Sequence, residues 1–261
     1  MPDRTLPSQP NRKYLEIHSL KIESHDRPID TARSASLAAS RHLESLLETQ
    51  ETVGVVLATG NSQVQFLEGL ISSNLDWSRV VFFHLDEYLG IEETHPGSFR
   101  YYLQQRVANR IPNCTFHFIQ GDAVEPLQEC DRYSKLLQQY SLDLCLLGIG
   151  DNGHLAFNEP GIADFDDPHA IKLVKLDDKT RQQQINGGFF KELYAVPQYA
   201  YTLTIPTICR AKKIICLAPG SHKAGVVKQT LTRHISPDFP ATILRTLPQA
   251  TLYCGGLDLS E

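Results

Sequence analysis

Four short apolar runs, each ending in glycine or polar residues, constrain this chain more than any other feature. VGVVLA (Val53–Ala58) runs into Thr59-Gly60-Asn61-Ser62, and VVFFHL (Val80–Leu85) into Asp86-Glu87-Tyr88. LCLL (Leu144–Leu147) leads into a loop rich in glycine, and IICLA (Ile214–Ala218) into Pro219-Gly220-Ser221-His222-Lys223. Apolar runs of this length read as strands buried on both faces. Helical stretches separate them: Asp30–Thr49, with Ala and Leu at helical spacing and neither Pro nor Gly, then Gln63–Ser72, Leu127–Tyr140 and a segment reaching Thr232. A helix beginning near Ser98 and a short one over Ala241–Thr246 are expected as well. Further strands are expected at Tyr14–Ile22, Cys114–Ile119, Ile171–Leu176 and Thr251–Cys254, with Ala200–Ile205 alternating as an edge strand. This alternation predicts an α/β fold, a mainly parallel central sheet with helices on both faces. Parallel strands end on one edge of the sheet, where ligands of such folds bind, so the polar clusters can meet in one cleft.

The loop after Leu147 reads GIGDNGHLAFNEP, from Gly148 to Pro160. Its glycines let the backbone turn sharply and admit a ligand closely. His154 and Glu159 lie five apart in a loop too polar for a core. A carboxylate near an imidazole raises its basicity, as acid–base chemistry requires. Taken singly, a lone His is more often structural than catalytic, and a Gly-rich turn is often only a turn. Thr59 to Ser62, between a strand and a helix, forms a seat for phosphate through backbone N–H groups and hydroxyls. An ordinary helix cap by Asn61 or Ser62 would look the same. Lys223, in the first turn after Gly220, adds a cation, and Arg181 is a further candidate. Asp86 is a strand-end carboxylate. The acids Asp164, Asp166 and Asp167 match no EF-hand spacing and read as a solvated loop, so no metal site is assigned. No Rossmann GxGxxG, HExxH or nucleophile elbow is present. Together these residues suit proton transfers on a small phosphorylated substrate without a redox cofactor; they do not choose among isomerase, lyase and hydrolase.

Composition narrows the partners. The 261 residues carry a net charge of −5, so bulk attraction to nucleic acid or an anionic membrane is not expected. No apolar stretch has transmembrane length. The six cysteines form no CxxC pair and read as reduced thiols of a cytoplasmic protein. Residues 1–13, with three prolines, read as a mobile tail before a single domain spanning 14–261.

LATGNS, HLDEYLG, HPGSFRYYL, LLGIGDNGHLAFNEP and GSHKA resemble, in order, the motifs of the glucosamine-6-phosphate deaminase (isomerase) family, related to the 6-phosphogluconolactonases. The resemblance implies a modified Rossmann-like α/β fold and no cofactor. It also implies conversion of glucosamine 6-phosphate and water to fructose 6-phosphate and ammonia, by a monomer or a homo-oligomer. Carried over, His154 assists ring opening, Glu159 orients it with Asn152 beside it, and Asp86 moves a proton between C2 and C1. Thr59, Gly60, Asn61, Ser62, Gly153, Arg181 and Lys223 would bind sugar and phosphate. Related lactonases typically carry Arg where Tyr88 stands and lack the NEP ending; a lactonase, another phosphosugar isomerase or a phosphosugar sensor are the alternatives. Two departures stand out. Gly188 occupies a position where relatives often have Arg, in a loop about two residues longer than usual. Ile162 and Ala170-Ile171-Lys172 replace the Ser and Arg-x-Lys of allosterically activated members, so the activator site is incomplete.

Overall fold

The structure is a computed structural model and describes residues 12–111, 113–186 and 188–257. Its strands are β1 (Arg12–Ile17), β2 (Leu20–His25), β3 (Val53–Leu57), β4 (Val80–His84), β5 (Asp86–Tyr88) and β6 (Thr115–Phe116). They continue with β7 (Leu144–Gly148), β8 (Ile171–Lys175), β9 (Tyr199–Leu203), β10 (Ile214–Ala218) and β11 (Ala250–Gly255). The helices are α1 (Pro28–Leu47), α2 (Val64–Ile71), α3 (Phe99–Leu103), α4 (Pro126–Gln139), α5 (Asp178–Asn186), α6 (Ile205–Cys209) and α7 (Ala224–Thr232).

The main sheet has eight strands in the order β1-β2-β11-β10-β7-β3-β4-β6, and every pair except the β1–β2 hairpin is parallel. Successive residues of its buried strands point to opposite faces. Val55, Leu57, Phe82, Leu146 and Ile215 pack with Ala35, Leu43, Phe66 and Leu70 of α1 and α2. Val56, Phe83, Cys145, Leu147 and Cys216 pack on the other face with Tyr133 and Leu137 of α4 and Val227 and Leu231 of α7. Both faces are dry, which is why these strands read as unbroken apolar runs. Burying each Val, Leu, Ile or Phe among them contributes about 1.5–3 kcal/mol. No helix among the described residues is long and apolar enough to cross a membrane.

Several boundaries differ from the sequence reading. The expected strand over Tyr14–Ile22 is the β1–β2 hairpin, turning at His18, whose φ is 54°. The polar pair His18-Ser19 interrupts the apolar run there. Arg12 and Lys13, expected in the tail, lie in β1; residues 1–11 lie outside the described residues. The strand expected over Cys114–Ile119 shrinks to β6. Ala200–Ile205 supplies the middle strand, not the edge, of a second antiparallel sheet ordered β5-β9-β8. Its alternation arises because Ala200 packs against Tyr88 and Phe157 while Tyr201 and Leu203 join the main core, so both faces are covered.

Candidate active site

The four polar clusters follow β10, β7, β3 and β4, which are adjacent in the sheet. Their carboxyl ends therefore open on one cleft. After β3 and after β10 the chain makes the same turn. Gly60 (φ 99°, ψ 172°) precedes a 3-10 turn over Asn61–Gln63, and Gly220 (φ 88°, ψ 154°) one over Ser221–Lys223. A side chain at either glycine would be strained in that backbone conformation. The first turn is pinned from two sides. Tyr102 Oη donates to the Gly60 carbonyl at 2.9 Å, and the buried Gln63 amide donates to the Leu147 carbonyl at 3.4 Å.

The loop after β7 is built around His154. The Asn152 Oδ1 accepts from the His154 backbone N–H at 3.2 Å and faces the ring Nδ1 at 2.7 Å. The backbone donor identifies this atom as the oxygen, so Nδ1 carries the ring proton and Nε2 keeps its lone pair. Desolvation, then the charge of Lys223, pushes the imidazole down to about 4, so it is neutral at neutral pH and a weaker base than an ordinary histidine, with the Nε2 lone pair available. Gly150 is required by close approach, since a Cβ there would stand 2.0 Å from the His154 ring. Asn158, fully buried, anchors the far side of the loop by donating to the carbonyls of Leu155 (2.9 Å) and Leu203 (2.8 Å).

Asp86 and Glu87 are adjacent carboxylates with different environments. Glu87 points inward and accepts from Tyr88 N–H (2.9 Å), Ser98 Oγ (2.8 Å), Phe99 N–H (3.0 Å) and Arg100 N–H (2.7 Å). It thereby closes the N-terminus of α3. Burial raises its pKa against the pull of those bonds. Asp86 lines the cleft, and its carboxylate has no hydrogen-bond partner among the described residues. Burial, and then the charge of Glu87, raises Asp86 well above the usual carboxylate range.

The cleft has a volume of about 750 Å³, the size of a small-molecule site. Thr59, Gly60, Asn61, Ser62, Asp86, His154 and Lys223 line it together. Asn152 and Gly153 stand behind His154 instead: Gly153 packs against Phe239, where a Cβ would meet the ring at 2.5 Å. Two expectations are corrected. Arg181 does not face the cleft; its guanidinium donates to the carbonyls of Leu193 (2.7 Å) and Val196 (3.0 Å) and to Asp178 (3.0 Å). It braces the turn after α5, because three acceptors converge on it there. Glu159 does not hold the His154 ring, since Asn152 occupies Nδ1. The Glu159 carboxyl lies beside Asp177 and Thr180, and burial lifts its pKa to about 7. Sequence reasoning missed Tyr102, Gln183, Gln184, Phe189 and His222 in the cleft wall. Gln183, Gln184 and Phe189 come from α5 and the residues after it, the altered loop. Gly188 and the added length of that loop are its sequence signals.

Comparison with known proteins places this geometry. The family model for glucosamine-6-phosphate isomerases/6-phosphogluconolactonase matches residues 26–253. A glucosamine-6-phosphate deaminase of Exiguobacterium sp. is 35% identical over 231 residues, 88% of this chain and 89% of the relative. One from Lysinibacillus sphaericus is 38% identical over 196 residues, 75% of this chain and 86% of the relative. The solved structure of a monomeric glucosamine-6-phosphate deaminase superposes with a TM-score of 0.81 at 29% identity, covering 90% of this chain and 96% of its own. A 6-phosphogluconolactonase from Trypanosoma brucei shares the fold at a TM-score of 0.74 and 19% identity, covering 93% and 97%. With the model matched across most of its length, the chain belongs to the glucosamine-6-phosphate isomerase/6-phosphogluconolactonase family.

Proposed function

We propose that this protein is a cytoplasmic glucosamine-6-phosphate deaminase, converting glucosamine 6-phosphate and water to fructose 6-phosphate and ammonia. One observation carries the reading: an unpaired, buried Asp86 and a neutral His154 of fixed tautomer line the same cleft as Thr59, Gly60, Asn61, Ser62 and Lys223. The names of the relatives support the amino-sugar substrate. The phosphate rests on the N-terminal turn of α2 and on Lys223, and this binding orients the sugar. His154 Nε2 takes the anomeric proton and returns it to the ring oxygen, opening the pyranose. Asn152 keeps that nitrogen free. Asp86 then removes the C2 proton while the C2 ammonium gives a proton to O1, forming an enolamine; Asp86 returns its proton to C1, leaving a protonated imine at C2 that water hydrolyses to the ketone and ammonia. Burial makes the Asp86 carboxylate a strong base, and the substrate ammonium at C2 offsets the cost of ionising it. Six unpaired cysteines support a reducing compartment. The test is a panel of 6-phosphorylated amino sugars together with 6-phosphogluconolactone. Ammonia and ketose phosphate should form from glucosamine 6-phosphate. Lactone hydrolysis without ammonia release would replace this reading with its lactonase relative.

A further inference from the structure

Lys223 is the one Lys or Arg lining the cleft among the described residues, and it is already engaged. Its ammonium has three N–H donors. One goes to the Ile149 carbonyl at 3.0 Å and another to Asp151 Oδ1 at 2.7 Å. A ligand therefore finds one free donor, beside a carboxylate of its own sign. The pair is unequal: the Lys223 side chain is 17% exposed and the Asp151 side chain 64%, so the acid is the partner free to leave. The other Asp151 oxygen accepts from Gln183 Nε2 at 3.2 Å, which ties the loop after β7 to α5 across the cleft mouth.

We propose that Asp151 is a positioning residue that sets the strength of the anion seat: it holds Lys223 while the cleft is free, and an entering phosphate must displace it. The inference rests on the phosphosugar reading and adds a regulation of that same site. Displacement does two things at once. It frees a second Lys223 donor for the phosphate, and it breaks the Asp151–Gln183 contact, so anion binding is coupled to release of α5. Lys223 charge also keeps Asp151 ionised, since hydrogen bonding and attraction to that ammonium lower its pKa. A protonated acid would compete less well, so the competition is present across the neutral range.

Calorimetric titration of the full-length protein with inorganic phosphate at low ionic strength tests this without any turnover. D151N should bind phosphate roughly fivefold more tightly than wild type, the scale of a partly exposed ion pair. D151E should restore wild-type affinity. In a K223A background D151N should change nothing, which a merely structural role for Asp151 would not produce. Steady-state kinetics should show the gain as a lower KM rather than a higher kcat. Equal or weaker phosphate binding by D151N overturns the proposal while leaving the phosphate seat in place. Absence of phosphate binding in both wild type and D151N overturns the seat and the proposal together.

Discussion

At the scale of single residues, the site depends on two groups whose pKa values burial shifts in opposite directions. His154 is neutral because its ring is desolvated beside Lys223, and Asn152 offers it an acceptor without a charge. Asn152→Asp would turn that acceptor into an anion, and a charge-assisted bond is roughly twice as strong as a neutral one. The His154 pKa should then rise from about 4 toward the ordinary histidine range. Titration of the ring protons by NMR reads this directly; an unchanged midpoint would mean that Asn152 does not set the ring's basicity. Asp86 illustrates the cost of function. Its folded-state pKa is raised, so its contribution to stability is fully present below the unfolded value near 3.9 and is lost as pH rises through the folded one. Asp86→Asn should therefore be more stable than wild type at neutral pH, by about 1–3 kcal/mol for relief of a buried charge without a partner. That corresponds to roughly 2–4 °C in melting temperature for each kcal/mol. The gap should close below about pH 4, where the carboxyl is neutral in both states. A variant that melts lower than wild type at pH 7 would show that Asp86 is satisfied by contacts absent from this account.

At the scale of elements, four strand ends and the loops they launch assemble the cleft. The loop after β7 leaves room for nothing at Gly150 but hydrogen, because the His154 ring fills the space. Gly150→Ala should rotate the ring away and reduce turnover by about 10²–10⁴-fold, the usual loss for a proton-transfer group. Since the site faces the cleft, the unfolding midpoint should move far less; full activity in this variant would place the ring's working position elsewhere. Much of this was legible beforehand. Doubly buried parallel strands announce themselves as apolar runs, and the ends of parallel strands must share an edge. Hence Thr59 to Ser62, Asp86, His154 and Lys223 could be brought together without coordinates. The second sheet was not legible. Its strand β5 is Asp86-Glu87-Tyr88, three residues whose polarity reads as a loop, and its pairing with β9 links positions more than a hundred apart. Spacing also says nothing about direction. Arg181 and Glu159 lie near the right segments and point away, and Glu87 caps a helix that begins twelve residues later. The tie between Asp151 and Lys223 joins residues 72 apart and leaves no local signature.

At the scale of the whole molecule, the two sheets and the segment around α5 enclose one cleft, and the account assigns it one reaction. No activation by an amino-sugar phosphate is expected. Lys172, the remaining cation of the incomplete activator site, donates to the Ile162 carbonyl at 2.9 Å and pairs with Asp167 at 2.8 Å. Both contacts are internal, and an effector shifts an equilibrium only through differential affinity for two states. Initial rates should be hyperbolic in substrate and unchanged by N-acetylglucosamine 6-phosphate; sigmoidal rates abolished by that compound would locate an activator site on other residues. The central claim is that Asp86 moves the proton that turns an amino-aldose into a ketose. Its most direct measurement is ammonia release from glucosamine 6-phosphate by wild type and by Asp86→Asn, at substrate concentrations shown to saturate each. The account predicts a wild-type rate that falls about 10²–10⁴-fold in the variant, with binding of the phosphosugar retained. Near-native ammonia release by Asp86→Asn would contradict it.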